Sequence, residues 1–203
     1  MRLAARFTPL PHRLEEHAFG GKLFVDDSIS TTPEATKAAL AAYEGSRIAL
    51  LAGGHERQQD YAELATLLGP RGVSLLVCLP VTGDRLATLA YAAAPDVEVL
   101  EAGTLEDAIT ALATRADRFD TAILSPGAPS YGQLERPGKP FSNFEERGAA
   151  FVRLAAAAFG GLAARPVAHI LHGQQWPRVA GRNCGFQAGT NRQRAACVAG
   201  AAH

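Results

Sequence analysis

The sequence predicts an α/β domain over residues 20–158, a parallel sheet with helices on both faces, and three observations predict it. Short apolar runs alternate with segments of helical period along the whole stretch, the order that βαβ units produce. The runs are apolar throughout instead of at every second position, as strands are when both faces of the sheet are covered. Polar clusters follow the first, second and last of these runs, where open parallel sheets bind their ligands.

The elements follow in order. Leu23-Phe24-Val25 is a brief strand. Thr31-Thr32-Pro33-Glu34 then combines a capping-box spacing with proline in the first turn, so a helix starts there with Thr31 as its cap. Arg47 to Ala52 reads as a buried strand. Tyr61, Leu64, Ala65 and Leu68 recur at helical spacing until Gly69-Pro70 stops them. Val73 to Leu79 is the third strand, and Leu86, Leu89 and Ala90 mark the next helix. Val97 to Leu100 is the fourth strand. Thr104 caps a helix with the face Leu105, Ala108, Ile109 and Leu112, with Asp107 at the box position. Thr121 to Leu124 is the last strand, and Asn143 with Glu146 opens a final helix packed through Phe144, Phe151 and Ala155. Together these elements make a Rossmann-like fold, preceded over residues 1–19 by a linker that carries two prolines, Pro9 and Pro11.

Composition narrows the function. No run of about 18 apolar residues is present, so no membrane span is expected. The first residues lack the apolar stretch of a signal peptide, and three cysteines make no disulfide framework. A cytosolic protein is expected. The 20 acidic residues all precede Gly160, against 15 Lys and Arg there, a balance of −5. An acidic body excludes nucleic acid as its partner. Residues 159–203 add five arginines and no acid, with no apolar period. They are expected to lie outside the fold, as disordered or out-of-frame sequence.

The polar clusters are Asp26-Asp27-Ser28-Ile29-Ser30-Thr31-Thr32, Gly53 to Asp60, and Ser125-Pro126-Gly127-Ala128-Pro129-Ser130-Tyr131. Parallel strands put all three on one edge, where hydroxyls, helix-start amides and Arg57 suit a carboxylate or a phosphate. Each has a plainer reading too. Asp26 and Asp27 solvate a loop, Gly53-Gly54 permits a tight turn, and His55 is a surface histidine. Ser125 and Ser130 lack the elbow of a serine hydrolase. Cys78 sits inside an apolar strand as core. Cys184 with His169, His172 and Cys197 has no zinc spacing, so no metal site is expected. No Walker A sequence occurs. The residues alone thus read as an anion-binding α/β domain.

In order and spacing the clusters resemble the C-terminal domain of the MurD-type Mur ligases, the glutamate-adding branch of that family, over roughly residues 5–158. Pro11-His12-Arg13-Leu14-Glu15 is similar to the family's link from its central ATPase domain. Asp26-Asp27-Ser28 through Thr31 resembles the motif Asn-Asp-Ser-Lys-Ala-Thr, and Gly53-Gly54 through Asp60-Tyr61 resembles the Gly-Gly loop. Ser125-Pro126 through Ser130, then Asn143-Phe144-Glu145-Glu146-Arg147-Gly148, resembles the closing signature. The resemblance implies ATP-dependent addition of glutamate to UDP-MurNAc-L-alanine through an acyl phosphate, in peptidoglycan precursor synthesis. ATP and Mg²⁺ would be held mainly by a central domain outside this chain, and the chain would be a monomeric fragment, inactive alone. Arg13 and Asp27 would contact the nucleotide on closure. Thr31, Ser130, Tyr131 and Phe144 would hold glutamate, and Arg57 would be the catalytic clamp.

Three departures stand out. Ile29 replaces a family lysine, Arg57 replaces another, and Glu135 to Ser142 is longer than usual. They are similar to a branch that adds L-glutamate instead of the family's default D-glutamate. Two other readings stay open: a non-catalytic binding module, or another amino-acid ligase of the Mur and folylpolyglutamate synthase superfamily.

Overall fold

The computed structural model describes residues 10–160. In chain order the elements are β1 (Glu15–Phe19), β2 (Lys22–Asp26), α1 (Pro33–Ala42), β3 (Ile48–Ala52), α2 (Ala62–Leu67), β4 (Val73–Cys78) and α3 (Thr82–Ala93). There follow β5 (Glu98–Glu101), α4 (Leu105–Ala113), β6 (Thr121–Leu124), β7 (Leu134–Arg136), β8 (Lys139–Pro140) and α5 (Phe144–Phe159). Six strands form one sheet in the order β1-β2-β6-β3-β4-β5. All neighbours in it are parallel except β1 and β2.

Successive strand residues point to opposite faces, and each face has its own core. Phe24, Ala49, Leu51, Leu75, Val77, Ala122 and Leu124 face α4 and α5, meeting Leu105, Ala108, Ile109, Leu112, Phe151, Ala155 and Phe159. Val25, Ile48, Leu50, Ala52, Leu76, Cys78 and Ile123 face the other way, onto Leu40 of α1, Leu64 of α2 with Leu68 just past its end, and Leu86 and Ala90 of α3. Both strand faces are therefore dry, which is why the runs carry no polar alternation. Burial pushes the Cys78 thiol up to about 12, as befits a core residue.

Several differences from the sequence expectation have physical reasons. Part of the supposed linker is a strand, because Glu15 to Phe19 turns back through Gly20 and Gly21, both at positive φ, and pairs antiparallel with β2. Its residues are mostly exposed on this sheet edge, so no apolar run announced it. The longer stretch before the last helix contains the small antiparallel β7–β8 hairpin. The cap of α1 is Thr32, whose side chain accepts from the Ala35 amide, and not Thr31. Pro33 takes the first helical position, so the residue directly before it must cap. Thr104 and Asn143 cap α4 and α5 as expected, accepting from the amides of Asp107 and Glu146. Phe159, assigned to the tail from sequence, instead ends α5 and packs fully buried against Phe24. The rest of the expected tail, with His169, His172, Cys184 and Cys197, lies outside the described residues.

Candidate functional site

The three polar clusters follow β2, β3 and β6, and the sheet order sets these strands side by side with β6 in the middle. The chain reaches β3, β4 and β5 before it returns to insert β6 between β2 and β3. Open parallel sheets form their ligand crevice at such a reversal, beyond the carboxyl ends of the strands, and all three loops lie at those ends.

The loops are bolted to one another. Ser125 Oγ donates to Asp27 Oδ2 at 2.7 Å, and the Gly127 amide donates to the Ser30 carbonyl. Thr36 of α1 donates to the Ser125 carbonyl, and the buried Tyr61 hydroxyl donates to the Gly127 carbonyl at 2.9 Å. Gln59 Nε2 donates to the Thr31 carbonyl at 3.3 Å, linking the first and second loops. Arg85 on α3 steadies the second loop, donating to the Gln59 carbonyl while its guanidinium lies 5.1 Å from the Tyr61 ring centre.

The Gly-Gly pair serves close packing. A Cβ on Gly53, at φ +127°, would stand 1.9 Å from the Leu79 carbonyl oxygen, and one on Gly54 would stand 2.3 Å from that of Pro129. The Gly53 amide donates to the Pro126 carbonyl and the Gly54 amide to Thr82 Oγ1. Both amides are thus committed inside the protein and do not form a phosphate cradle.

Arg147 is central to this assembly, although the motif that contains it suggests no role for it. It is 0% exposed. Its guanidinium donates to Ser28 Oγ at 2.9 Å, to the Ser28 carbonyl at 2.8 Å, to the Ala128 carbonyl at 3.3 Å, and to Gln133 Oε1. Burial lowers its pKa to about 9, opposed by the Asp26 carboxylate. The sequence does hold a signal for its burial: Arg147 shares the helical face of Phe151 and Ala155, so it points into the core.

A second feature missed from sequence is the contact of His12 Nδ1 with Asp26 Oδ2 at 2.7 Å. Asp26 Oδ1 also accepts from the Ser28 amide at 3.0 Å, and Glu15 Oε2 accepts from the His12 amide. His12, Glu15 and Asp26 are the one group among the described residues with candidate metal-ligand atoms mutually within 4.8 Å. Those atoms are engaged in hydrogen bonds, and Mg²⁺ favours a six-oxygen shell, so the set does not fit that ion.

The residues singled out from sequence fall into two groups. Thr31 and Phe144 are half-buried, Ser130 is buried, and Arg13 and Arg57 are exposed. Tyr131 is 56% exposed, and its ring meets His55 edge-on at 6.1 Å between centres. Since Thr32 does the capping, the Thr31 side chain is not spent on the helix. The Phe144 carbonyl accepts from Ser28 Oγ at 2.8 Å, and its ring stands edge-on to His12. Asp27, by contrast, is 2% exposed and bound to Ser125. Burial raises its carboxyl above the ordinary value, and hydrogen bonds from Ser30 and Ser125 oppose the rise. Of the two candidate nucleotide contacts, Arg13 is an exposed cation, while Asp27 is buried and tied to the third loop through Ser125.

Comparison with known proteins identifies the family. Residues 12–128 match the family model described as Mur ligase, glutamate ligase domain. The chain is 37% identical to the UDP-N-acetylmuramoyl-L-alanine–L-glutamate ligase of Xanthomonas euvesicatoria pv. vesicatoria (strain 85-10), over 75% of this chain and 32% of that protein. It is 39% identical to the ligase of the same name from Micromonospora sp. (strain ATCC 39149), over 72% and 31%. It is 38% identical to the UDP-N-acetylmuramoylalanine–D-glutamate ligase of Rubrobacter xylanophilus, over 71% and 31%. The chain thus spans about a third of the length of these relatives. A crystal structure of the murein peptide ligase mpl from Psychrobacter arcticus 273-4 shares the fold, with a TM-score of 0.53 at 14% identity, over 78% of this chain and 32% of that one. This chain belongs to the Mur ligase family, and the stretch that matches the glutamate ligase domain carries two of the three crevice loops and the start of the third.

Proposed function

We propose that this chain is the amino-acid-presenting part of an ATP-dependent ligase that joins glutamate to UDP-MurNAc-L-alanine in peptidoglycan precursor synthesis, in the cytoplasm. The observation that supports the reading is the sheet order, which puts the loops carrying Thr31, Arg57 and Ser130 at the carboxyl ends of the neighbouring strands β2, β3 and β6. Arg57 clamps a glutamate carboxylate, as a guanidinium does well in two-point contact. Thr31, Ser130, Tyr131 and Phe144 hold the rest of the amino acid. Fixed loops matter because attack by the amine depends on orientation. Mg-ATP supplies the phosphoryl group that activates the acceptor carboxylate. Arg13 faces the nucleotide on closure, with Asp27 behind it.

We read the isomer as L-glutamate. Ile29 in place of a cation and the β7–β8 insertion support this, as do the names of the Xanthomonas and Micromonospora relatives. The test is calorimetric titration of the 203-residue chain with each glutamate isomer. Preference for L-glutamate by roughly tenfold, about 1.4 kcal/mol, is expected. Preference for D-glutamate overturns the isomer, and no binding of either overturns the amino-acid-presenting role.

A further inference from the structure

Gln133 lies just past the third loop, is 3% exposed, and bonds directly to the second loop, the third loop and Arg147. Its Nε2 donates to the Gly53 carbonyl at 2.8 Å, its Oε1 accepts from Arg147, and its backbone amide donates to the Ser130 carbonyl at 3.0 Å. Its own carbonyl accepts from the Phe141 amide, which ties down the end of the β7–β8 hairpin. Through Arg147 the same side chain is one step from Ser28 and Ala128.

The chemistry at this point admits few side chains. Arg147 is only a donor and needs an acceptor, while the Gly53 carbonyl is only an acceptor and needs a donor. A primary amide offers both, 80 residues from Gly53 in sequence. Gly53 itself has no room for a side chain that could anchor the second loop. Three bonds hold the second loop against the third-loop segment: the Gly53 amide donates to the Pro126 carbonyl, the His55 amide to the Pro129 carbonyl, and the Gln133 side-chain amide to the Gly53 carbonyl.

We propose that Gln133 is a positioning residue for amino-acid binding: its amide sets the distance of the Gly53–Arg57 segment from Ser130 and from the Ser28–Phe144 corner. The inference rests on the function proposed above. It predicts that changing one end of the amide changes ligand affinity while the fold persists. Gln133→Glu makes that cut, because a carboxylate still accepts from Arg147 but cannot donate to the Gly53 carbonyl. Gln133→Met removes both ends at similar volume.

The test compares the 203-residue chain with both variants by melting temperature, by ¹H–¹⁵N spectra and by titration with L-glutamate. Gln133→Glu should melt within about 4 °C of the parent, because the carboxylate it brings to the Arg147 guanidinium offsets the orphaned Gly53 carbonyl. It should bind L-glutamate roughly tenfold more weakly, with the Gly54 and His55 amide signals displaced. A folded Gln133→Glu chain with parental affinity and unmoved His55 signal overturns the proposal. A wild-type measurement covers the case in which a variant does not fold. The Gln133 side-chain amide protons should exchange far more slowly than those of the exposed Gln58 and should shift as glutamate is added. Fast exchange, or no shift at saturating glutamate, overturns it equally. If the parent chain binds no glutamate, the function reading fails by itself. The positioning claim is then judged on the His55 signal of the Gln133→Glu chain, where displacement supports it and no displacement sinks it.

Discussion

The His12 ring and the Asp26 carboxylate meet at 2.7 Å in the space that a side chain on residue 148 would fill. A Cβ built on Gly148 stands 2.4 Å from both His12 Nδ1 and Asp26 Oδ2. The glycine inside α5 is therefore required by a contact that pins the segment before β1 to the first crevice loop.

Gly148→Ala tests that relationship, with two effects of opposite sign. Alanine in a helix interior normally gains up to about 1 kcal/mol over glycine. Here the intruding methyl must part the His12–Asp26 pair, at a cost of about 1–3 kcal/mol typical of overpacking. Net destabilisation is expected in urea unfolding, and a higher midpoint for the alanine chain would show that the pair yields freely.

Arg147→Met should be far costlier. It strips donors from the buried carbonyls of Ser28 and Ala128 and from Gln133 Oε1. Each orphaned buried acceptor costs about 1–3 kcal/mol, so a loss of about 3–5 kcal/mol is expected from denaturant curves. A loss below about 1 kcal/mol would mean that the crevice loops hold together without it.

Arg57→Ala should separate binding from stability. Arg57 is exposed, so the melting temperature should stay within about 2 °C, as for ordinary surface changes. Loss of a charge-assisted contact worth about 1.5–3 kcal/mol should weaken L-glutamate binding at least roughly tenfold. Unchanged affinity in calorimetry would remove Arg57 from the site.

Glu135 supplies a pH dependence. The Lys139 hydrogen bond, aided by Arg153, holds its carboxyl below the ordinary 4.5. A lowered folded-state pKa contributes stability that is present above 4.5 and is lost as pH falls through the folded value. The stability advantage of the parent over Glu135→Gln should therefore be full at about pH 6–7 and shrink below about pH 4.5. A gap that stays constant from neutral pH down to about pH 3 would contradict the ion pairs.

Much of the fold was legible because it depends on local pattern. Strands dry on both faces write themselves as unbroken apolar runs such as Ile48 to Ala52 and Leu75 to Cys78. Caps at Thr104 and Asn143 need only short-range chemistry. β1 was not legible, because Glu15-Glu16-His17-Ala18-Phe19 lies on an edge where one face stays wet. Within the site, the loops and Arg57 could be placed from the order of strands. The His12–Asp26 contact and the Gln133–Gly53 bond could not, since they join residues 14 and 80 apart through the fold itself. Arg147 lay between: its helical register marks it as buried, but only the packed loops show which carbonyls it serves.

The central claim is that three loops from β2, β6 and β3 form one amino-acid site. Its most direct test maps backbone amide shifts of the ¹⁵N-labelled 203-residue chain as L-glutamate is added. The account predicts saturable shifts concentrated in residues 26–31, 53–60 and 125–131, extending to Phe144 at the start of α5. Shifts gathered at the opposite edge of the sheet, or none at saturating glutamate, would contradict it.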